Sequence, residues 1–298
     1  MPPLVSIITL NWNQTAVTSA FLESTRKFQY KNYEILVCDM GSDIDPTDEI
    51  NKANYPNTRV LRSSVNLGFT GGNNWGMREA KGDYFFIVNN DTEVTPDLLD
   101  VLLEPFNKDA SIAMVCPKIR FYSHPTIIQY AGFNPMNLFT GRTTAVGSME
   151  EDKGQHDVSG YTNCAHGCAI MVKKEVTDKV GMFAEKYFIY YEESDWSARI
   201  LKAGYKIYYE AKGLIYHKES ITMGKQSAIK VYYHTRNRIL YMRRNTSMGK
   251  FVVFSLFFLF VSTPKAILKF SANRQFKHLK SYMKGISWNL TQSKHSAV

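Results

Sequence analysis

The sequence contains few cysteines and no apolar run of membrane-spanning length, and both shortages limit what it encodes. Its four cysteines, Cys38, Cys116, Cys164 and Cys168, are too few and too scattered for a disulfide-stabilised scaffold. The spacing of Cys164 and Cys168 does not match that of a zinc ribbon, and no second pair accompanies them. No signal-peptide pattern opens the chain, so we expect reduced thiols in a cytoplasmic protein.

Acidic residues are nearly absent from the C-terminal region, residues 217–298. This region contains 15 Lys and Arg residues and one acidic residue, Glu219, which gives it a net charge of +14. Because the whole chain carries +9, residues 1–216 carry −5. A region this basic predicts a polyanionic partner, either nucleic acid or an anionic membrane surface.

An uncharged apolar run of 13 residues, 251–263, lies in this region and ends at Pro264. A spanning helix needs about 20 apolar residues, so the run is short for crossing a bilayer. Residues 276–286 follow with the pattern of a basic amphipathic helix, which is typical of a membrane interface. We therefore expect peripheral docking on the inner face of the cell membrane; the alternative is a buried core helix. Nucleic acid is disfavoured, because the aromatic residues do not alternate with charges as in a stacking groove.

The first hundred residues alternate strand and helix patterns, which predicts an α/β fold with a mostly parallel sheet and flanking helices. The predicted strands are 5–12, 33–40, 59–62 and 84–88, and the predicted helices are 14–28 and 72–80. Ligands of such sheets bind at the carboxyl ends of the strands. Residues 112–174 suit an acceptor-side subdomain, and a further helix is expected at 192–203, closed by Gly204.

The apolar strand 84–88 ends abruptly in Asn89, Asn90, Asp91 and Thr92. A carboxylate between amides at the end of a buried strand suits a hard divalent cation, with coordination sites left for substrate phosphates. The alternative is a simple turn that caps the following helix, because Asn and Asp favour turns for local reasons.

A second group of acids, Glu192, Glu193 and Asp195, directly follows an aromatic run at the start of a predicted helix. The helix dipole alone could explain acids at this position. Carboxylates beside hydrophobic walls and beside each other also acquire the shifted pKa values that proton transfer needs. His217 ends a later strand-like segment and either returns to the same cleft or is a structural residue.

Taken in order, these segments resemble glycosyltransferase family 2, the inverting enzymes with the GT-A fold, and in particular its bacterial rhamnosyltransferase-like branch. The matching segments are VSIITLNWN at 5–13, EILVCDMGS at 34–42, NLGFTGGN at 66–73, GDYFFIVNNDT at 82–92, FIYYEESDWSAR at 188–199 and YH at 216–217. The resemblance implies a GT-A catalytic domain at 1–216, with a donor half at 1–110 and an acceptor half at 111–216. Residues 217–298 would form a separate basic helical region.

The resemblance also implies roles for individual residues. Asp39 would accept a hydrogen bond from the nucleobase of a nucleotide-sugar. A loop containing Asn66, Gly68 and Gly72 would let the backbone approach the donor, because glycine has no Cβ. The remaining implied donor-binding residues are Thr9, Asn11 and Asn90. Asp91 and His217 would bind Mn²⁺ or Mg²⁺, and a nitrogen ligand favours Mn²⁺.

Two positions depart from the family pattern. The catalytic base of the family falls on Glu193, where Asp is usual, which leaves Asp195 as a rival for the role. Asn89 replaces the first Asp of the Asp-x-Asp motif, a change that is common in this branch.

The predicted function is inverting transfer of a sugar from a UDP- or dTDP-linked donor, with dTDP-rhamnose as the leading candidate. The acceptor would be a hydroxyl of a growing cell-surface glycan or of a sugar linked to polyprenyl diphosphate. Four arginines of the C-terminal region would face lipid headgroups or the acceptor's diphosphate: Arg236, Arg238, Arg243 and Arg244. The alternatives are a sugar nucleotidyltransferase, disfavoured because residues 9–13 lack glycine and cations, and an inactive scaffold docked on the membrane. The sequence leaves homo-oligomer formation open.

Overall fold

The structure is a computed structural model that describes residues 2–218 and 227–296, and within those ranges the chain forms one ten-stranded sheet. The strands are β1 (Val5–Asn11), β2 (Tyr33–Asp39), β3 (Thr58–Arg62), β4 (Tyr84–Val88), β5 (Thr92–Val94), β6 (Ile112–Phe121), β7 (Ile128–Tyr130), β8 (Gly160–Thr162), β9 (Ala169–Lys173) and β10 (Lys206–His217). The helices are α1 (Thr15–Thr25), α2 (Thr47–Ala53), α3 (Gly68–Glu79), α4 (Leu98–Lys108), α5 (Lys174–Val180), α6 (Glu192–Lys202), α7 (Ala228–Asn245), α8 (Met248–Phe257), α9 (Thr263–Ala272) and α10 (Phe276–Thr291).

The sheet is parallel in its first half and mixed in its second. Strands β3, β2, β1 and β4 lie side by side and parallel. The apolar runs of β2, β1 and β4 are buried on both faces, as is usual in parallel sheets, whereas the edge strand β3 is only partly buried. Beyond β4, strand β9 runs antiparallel to both β4 and β6, and β5 runs antiparallel to β10. The predicted α/β class with a central sheet and flanking helices is confirmed.

One local prediction around the site was wrong. Helix α3 begins at Gly68 rather than Gly72, so the expected glycine loop is largely helical. A Cβ at Gly72 would lie 2.6 Å from Sδ of Met40, so this glycine lets α3 pack closely on the sheet. Asn90 and Asp91 form a turn that leads into the short strand β5, and the pairing of β5 with β10 places Thr92 opposite His217.

The C-terminal helices α7 to α10 pack around a second apolar core, which includes Leu240, Phe254, Phe258 and Tyr282. Helices α8 and α9 are joined by a π turn (Phe258–Ser262) into one helix, Met248–Ala272. The helix continues past Pro264, because the wider π turn before it accommodates a residue without an amide hydrogen. By length and composition alone, this helix of 25 residues could cross a membrane.

Candidate active site

A buried polar network runs beneath the carboxyl ends of β1, β2 and β4. Asn11 donates from Nδ2 to Oδ1 of Asp39 over 2.7 Å, and its own Oδ1 accepts from the hydroxyl of Thr18 over 2.8 Å. Asn90 donates to that same hydroxyl over 2.8 Å. The network therefore ties three predicted donor-binding residues, Asn11, Asp39 and Asn90, into one unit next to Asp91.

Asp39 is fully buried, and both of its carboxylate oxygens accept hydrogen bonds. Ser42 donates from its hydroxyl over 2.5 Å and from its amide over 3.1 Å, and Arg62 forms an ion pair over 3.1 Å. The sequence patterns did not point to Thr18, Ser42 or Arg62. Arg62 could have been found, because it ends the predicted third strand as Asp39 ends β2, and the two residues are in register.

The start of α3 joins the donor half to the acid loop, which we define as residues 187–191. Asn66 accepts from the Gly68 amide over 2.8 Å, and the space where a Gly68 side chain would stand is filled by the Phe188 ring. The Thr70 amide donates to the Phe188 carbonyl over 3.2 Å. Thr9 is buried within β1, and its hydroxyl has no partner in the described part of the chain.

Asp91 and His217 meet where β5 pairs with β10. Nε2 of His217 lies 3.2 Å from Oδ1 of Asp91, a buried oxygen that makes no well-aligned hydrogen bond with any described residue. Nδ1 of His217 is 2.8 Å from Oε1 of Gln129, so that Nδ1 would keep its proton and the Nε2 lone pair would be free for a cation whenever the ring is neutral. Burial alone would lower the pKa of His217, but Cys168 and Asp91 raise it to about 11.

This pair fits a divalent cation. A buried carboxylate oxygen without a partner and an imidazole nitrogen held by a second residue are a common arrangement at metal sites. Within residues 2–218 and 227–296 no cluster of three or more His, Cys, Asp or Glu residues could hold a metal. Two protein ligands leave coordination sites for the phosphates of a substrate, and a cation bound here would displace the His217 proton.

The acid loop is strained and is held by α7. Phe188, Tyr190 and Tyr191 have positive φ values of 64°, 69° and 71°, which cost energy for residues with side chains. Asn237 of α7 is fully buried and donates from Nδ2 to the carbonyls of residues 187, 189 and 190, over 3.0, 2.7 and 2.8 Å. Arg236 donates to the carbonyls of residues 186 and 187. The C-terminal region therefore supports the loop that leads directly to Glu193.

Glu193 lines a cavity of about 450 Å³ beside the acid loop. Its carboxylate accepts only a long hydrogen bond, 3.3 Å, from the Ser194 hydroxyl among the described residues. Burial raises the pKa of Glu193. The neighbouring Glu192 is buried, its Oε2 has no hydrogen-bond partner in the described chain, and burial together with Glu193 raises its pKa well above the ordinary value. Glu193 thus has the accessibility and the shifted pKa of a general base.

Asp195 is held as a structural anchor, which argues against the predicted role of this residue as a rival base. Its carboxylate is fully buried between Arg199 and Arg244, with ion pairs of 3.0 and 2.8 Å. Tyr187 and Asn245 donate further hydrogen bonds of 3.1 and 2.8 Å. Burial alone would raise the pKa of Asp195, but Arg244 and Arg199 lower it. A carboxylate so completely paired is a poor proton acceptor, and it fastens α6 to α7.

The expectation that four arginines face lipid or acceptor was wrong for three of them. Arg236 and Arg244 hold the acid loop and Asp195 as described above. Arg243 donates to Oδ1 of Asn289 over 3.2 Å and to the Gln292 carbonyl over 3.0 Å. Arg238 alone of the four lines the cavity that contains Glu193.

The chain matches the family model described as glycosyl transferase family 2 over residues 6–181. A relative from Mycobacterium tuberculosis, named N-acetylglucosaminyl-diphospho-decaprenol L-rhamnosyltransferase, is 22% identical over 265 residues. That alignment covers 81% of this chain and 85% of the relative.

Solved structures share the fold at low sequence identity. A mannosyltransferase from Pyrobaculum calidifontis, solved with GDP-Man and Mn²⁺, has a TM-score of 0.62 and 13% identity, covering 98% of this chain and 88% of its own. GalNAc-T7, solved with UDP, GalNAc and Mn²⁺, has a TM-score of 0.70 and 16% identity, covering 97% of this chain and 57% of its own. The predicted GT-A fold is thereby confirmed.

Proposed function

The chain belongs to glycosyl transferase family 2 and is a nucleotide-sugar glycosyltransferase, and we propose that Glu193 is the catalytic base of its inverting transfer. The observation that carries this proposal is the cavity beside the acid loop. Among the described residues that line the cavity, Glu193 is the only carboxylate, while Asp195 lies buried behind it.

In this mechanism Glu193 accepts the proton of the acceptor hydroxyl as the oxygen attacks the anomeric carbon of the donor. A carbon–oxygen bond forms on one face of the sugar, and the bond to the nucleoside diphosphate breaks on the other, which inverts the anomeric centre. Asp91 and His217 would hold a divalent cation, which supplies positive charge for the leaving diphosphate. Asp39 and its network would position the nucleobase, with Asn90 linking that network to Asp91.

The donor is a UDP- or dTDP-linked sugar, and the acceptor is a sugar on a polyprenyl diphosphate. The name of the Mycobacterium tuberculosis relative supports both parts, because it specifies rhamnose transfer and a diphospho-decaprenol acceptor. We accordingly favour dTDP-rhamnose as the donor. The neighbours solved with Mn²⁺ support a metal-dependent donor site in this chain.

The test is thermal stabilisation by a panel of nucleoside diphosphates and nucleotide-sugars, each with Mn²⁺ and with chelator. UDP or dTDP compounds should raise the melting temperature with Mn²⁺ only, and Asp91→Ala should abolish the shift. Asp178→Ala, which removes an exposed carboxylate from α5, is the control and should keep the shift. An absence of any nucleotide-dependent shift in the wild type would contradict the proposal.

We also place the protein on the cytoplasmic face of the membrane, docked through the outward surface of Met248–Ala272. Leu256, Leu259 and Phe260 are exposed there, while Phe254 and Phe258 on the other side are buried in the second core. A helix that packs on α7 and α10 cannot be surrounded by lipid, since the lysines of α10 would then be buried, so we favour peripheral binding.

Vesicle co-sedimentation tests this placement. Leu259→Glu should reduce binding to anionic vesicles, whereas Val158→Glu, at an even more exposed apolar residue of the catalytic half, should not. Undiminished binding of Leu259→Glu would contradict docking through this helix. Retention after alkaline carbonate washing would indicate a spanning helix instead.

A further inference from the structure

The cavity that contains Glu193 is built by parts of the chain that are far apart in sequence. Its walls come from the 133–143 hairpin, the acid loop, α7 and the C-terminal helices. The lining residues are Phe133, Met136, Arg142, Thr143, Tyr190, Tyr191, Glu193, Ser194, His234, Thr235, Arg238, Phe258 and Tyr282. The cavity is larger than the sugar hydroxyl that Glu193 would deprotonate. The residues that line the rest of the cavity therefore indicate which other chemical groups of the acceptor bind there.

Two arginines line this cavity, and neither forms an ion pair with a carboxylate of the described residues. Arg238 is 6% exposed; its Nε donates to the Thr140 carbonyl over 2.6 Å and its Nη2 reaches the Ser262 hydroxyl at 3.5 Å. These contacts use two of its five N–H groups. The Arg142 side chain forms no hydrogen bond or ion pair with any residue in 2–218 or 227–296. The cavity thus offers unused guanidinium donors.

The two arginines carry like charges that repel each other. Burial and the nearby charge of Arg142 lower the pKa of Arg238 to about 10, so both side chains stay charged at neutral pH. His234 adds no charge, because burial and the cations Lys230 and Arg142 lower its pKa to about 4. Two facing cations in a half-buried cavity favour an anion with at least two charges, and arginine suits phosphate oxygens in particular.

Part of the cavity lining is apolar and is close in sequence to the exposed helix surface. The Arg238 guanidinium lies over the Phe258 ring, 5.1 Å from its centroid, and Tyr282 and Met136 also line the cavity. Phe258 directly precedes Leu259 and Phe260, which are exposed on the outer side of the helix. The apolar lining is therefore adjacent in sequence to the surface that we propose docks on lipid.

We propose that Arg142 and Arg238 form the binding site for the diphosphate of a polyprenyl-diphosphate-linked acceptor. This inference rests on the proposed function, because Glu193 must face the acceptor's sugar. The side chains of Met136, Phe258 and Tyr282 then contact the first isoprene units. The cavity lining thus combines a carboxylate, cations and apolar side chains, the three kinds of group that the sugar, the diphosphate and the lipid of such an acceptor need.

The test measures binding of farnesyl diphosphate to the full-length protein by calorimetry in the presence of chelator. Chelator removes the metal through which the donor site would hold a diphosphate, so that only the arginine site remains. We expect Arg142→Ala to weaken binding at least about tenfold, the loss expected for a charge-assisted contact. Arg238→Lys keeps the positive charge but loses the planar set of guanidinium N–H donors, so it should weaken binding as well. Lys27→Ala, which removes an equal charge from an exposed site at the end of α1, should leave it unchanged.

Further ligands and one donor-site variant separate the possible outcomes. Farnesol, which lacks the diphosphate, should bind much more weakly, and inorganic pyrophosphate should compete with farnesyl diphosphate. Binding that is unaffected by Arg142→Ala but lost in Asp91→Ala would place the diphosphate in the donor site and overturn the inference. Absence of binding in chelator would overturn it too. Neither result affects the metal-dependent nucleotide shift that tests the proposed function, so the two can fail separately.

Discussion

The donor edge of the sheet carries two carboxylates and the acid loop leads to a third, Glu193, but the two regions are held in place in different ways. At the donor edge, Asp39 ends the buried strand β2 and Asp91 lies three residues beyond β4, so each is placed by the end of a sheet strand, and Asp91 contacts His217 at the end of β10. The acid loop has an unfavourable backbone, and its support comes from Asn237 and Arg236 on a helix beyond the sheet.

This difference shows that the C-terminal region has a structural role beside the membrane docking that we propose for it. Its helix α7 supplies the hydrogen bonds that hold the acid loop and the ion pair from Arg244 to Asp195 that fixes α6. The donor site should therefore tolerate damage to α7, whereas the acceptor side should not. The predictions below test this contrast, starting with the largest expected effect.

Glu193 and Asp195, two residues apart, should respond to loss of charge in opposite ways. Glu193→Gln should reduce kcat about 10³-fold, as expected for a general base, with an unchanged melting temperature and unchanged metal-dependent nucleotide binding. Asp195→Asn should instead cost about 3–5 kcal/mol of unfolding free energy, because it leaves Arg199 and Arg244 buried without their partner. Steady-state kinetics and urea unfolding measure the two effects. Wild-type turnover by Glu193→Gln would rule it out as the base.

Removing the Asn237 side chain should uncouple the acceptor side from the donor site. Asn237→Ala leaves the buried carbonyls of Ile189 and Tyr190 without this donor, and we expect a loss of roughly 2–4 kcal/mol in unfolding free energy. Transfer should fall while nucleotide binding with Mn²⁺ persists. Asn163→Ala, which removes one exposed hydrogen bond to Phe133, should change stability by less than about 0.5 kcal/mol. Equal losses in the two variants would contradict a special role for Asn237.

Gln129→Leu should damage the donor site alone. The variant lacks the Gln129 amide oxygen, so Nδ1 of His217 loses the acceptor that orients the ring. Changes to residues that support a metal ligand weaken metal binding by about 10–100-fold. Titration of the nucleotide-dependent melting shift with Mn²⁺ measures the effect, and the shift should return at higher Mn²⁺. A variant that titrates like the wild type would show that Gln129 does not orient a metal ligand.

The pH dependence of stability should have opposite signs for the acids of α6. Burial raises the pKa of Glu192 and Glu193 in the folded protein. Their contribution to the unfolding free energy is therefore fully present below the pKa of the unfolded chain and is lost as pH rises through the pKa of the folded state. The lowered pKa of Asp195 gives a contribution that is present above its unfolded pKa and lost as pH falls through the folded value. We therefore compare the unfolding free energy of Glu192→Gln with that of the wild type. The difference should favour the variant more at pH 8 than at pH 5. Urea unfolding at pH 5 and pH 8 measures this difference. The same difference at both pH values would contradict a raised pKa of Glu192.

The amino-acid sequence alone determined the α/β class, the strand that precedes Asp91 and the helix that begins with Glu192. These features follow from local composition and periodicity, because buried parallel strands need continuous apolar runs and helix starts favour acids. The same local information ended the uncharged apolar run at Pro264 and did not indicate that the helix continues beyond it, since a π turn has no distinct sequence pattern.

Only the tertiary structure shows the positions on which we base the proposed roles of Asp195, Gln129, Asn237 and Arg142. Each role depends on a contact between distant parts of the chain, such as His217 with Gln129 or Asn237 with the acid loop. A single hydrogen bond across such a separation imposes no periodicity on the sequence, so composition cannot reveal it. The choice between Glu193 and Asp195 shows the consequence: they are near neighbours in one acidic cluster, and only the arginines packed around one of them set it apart.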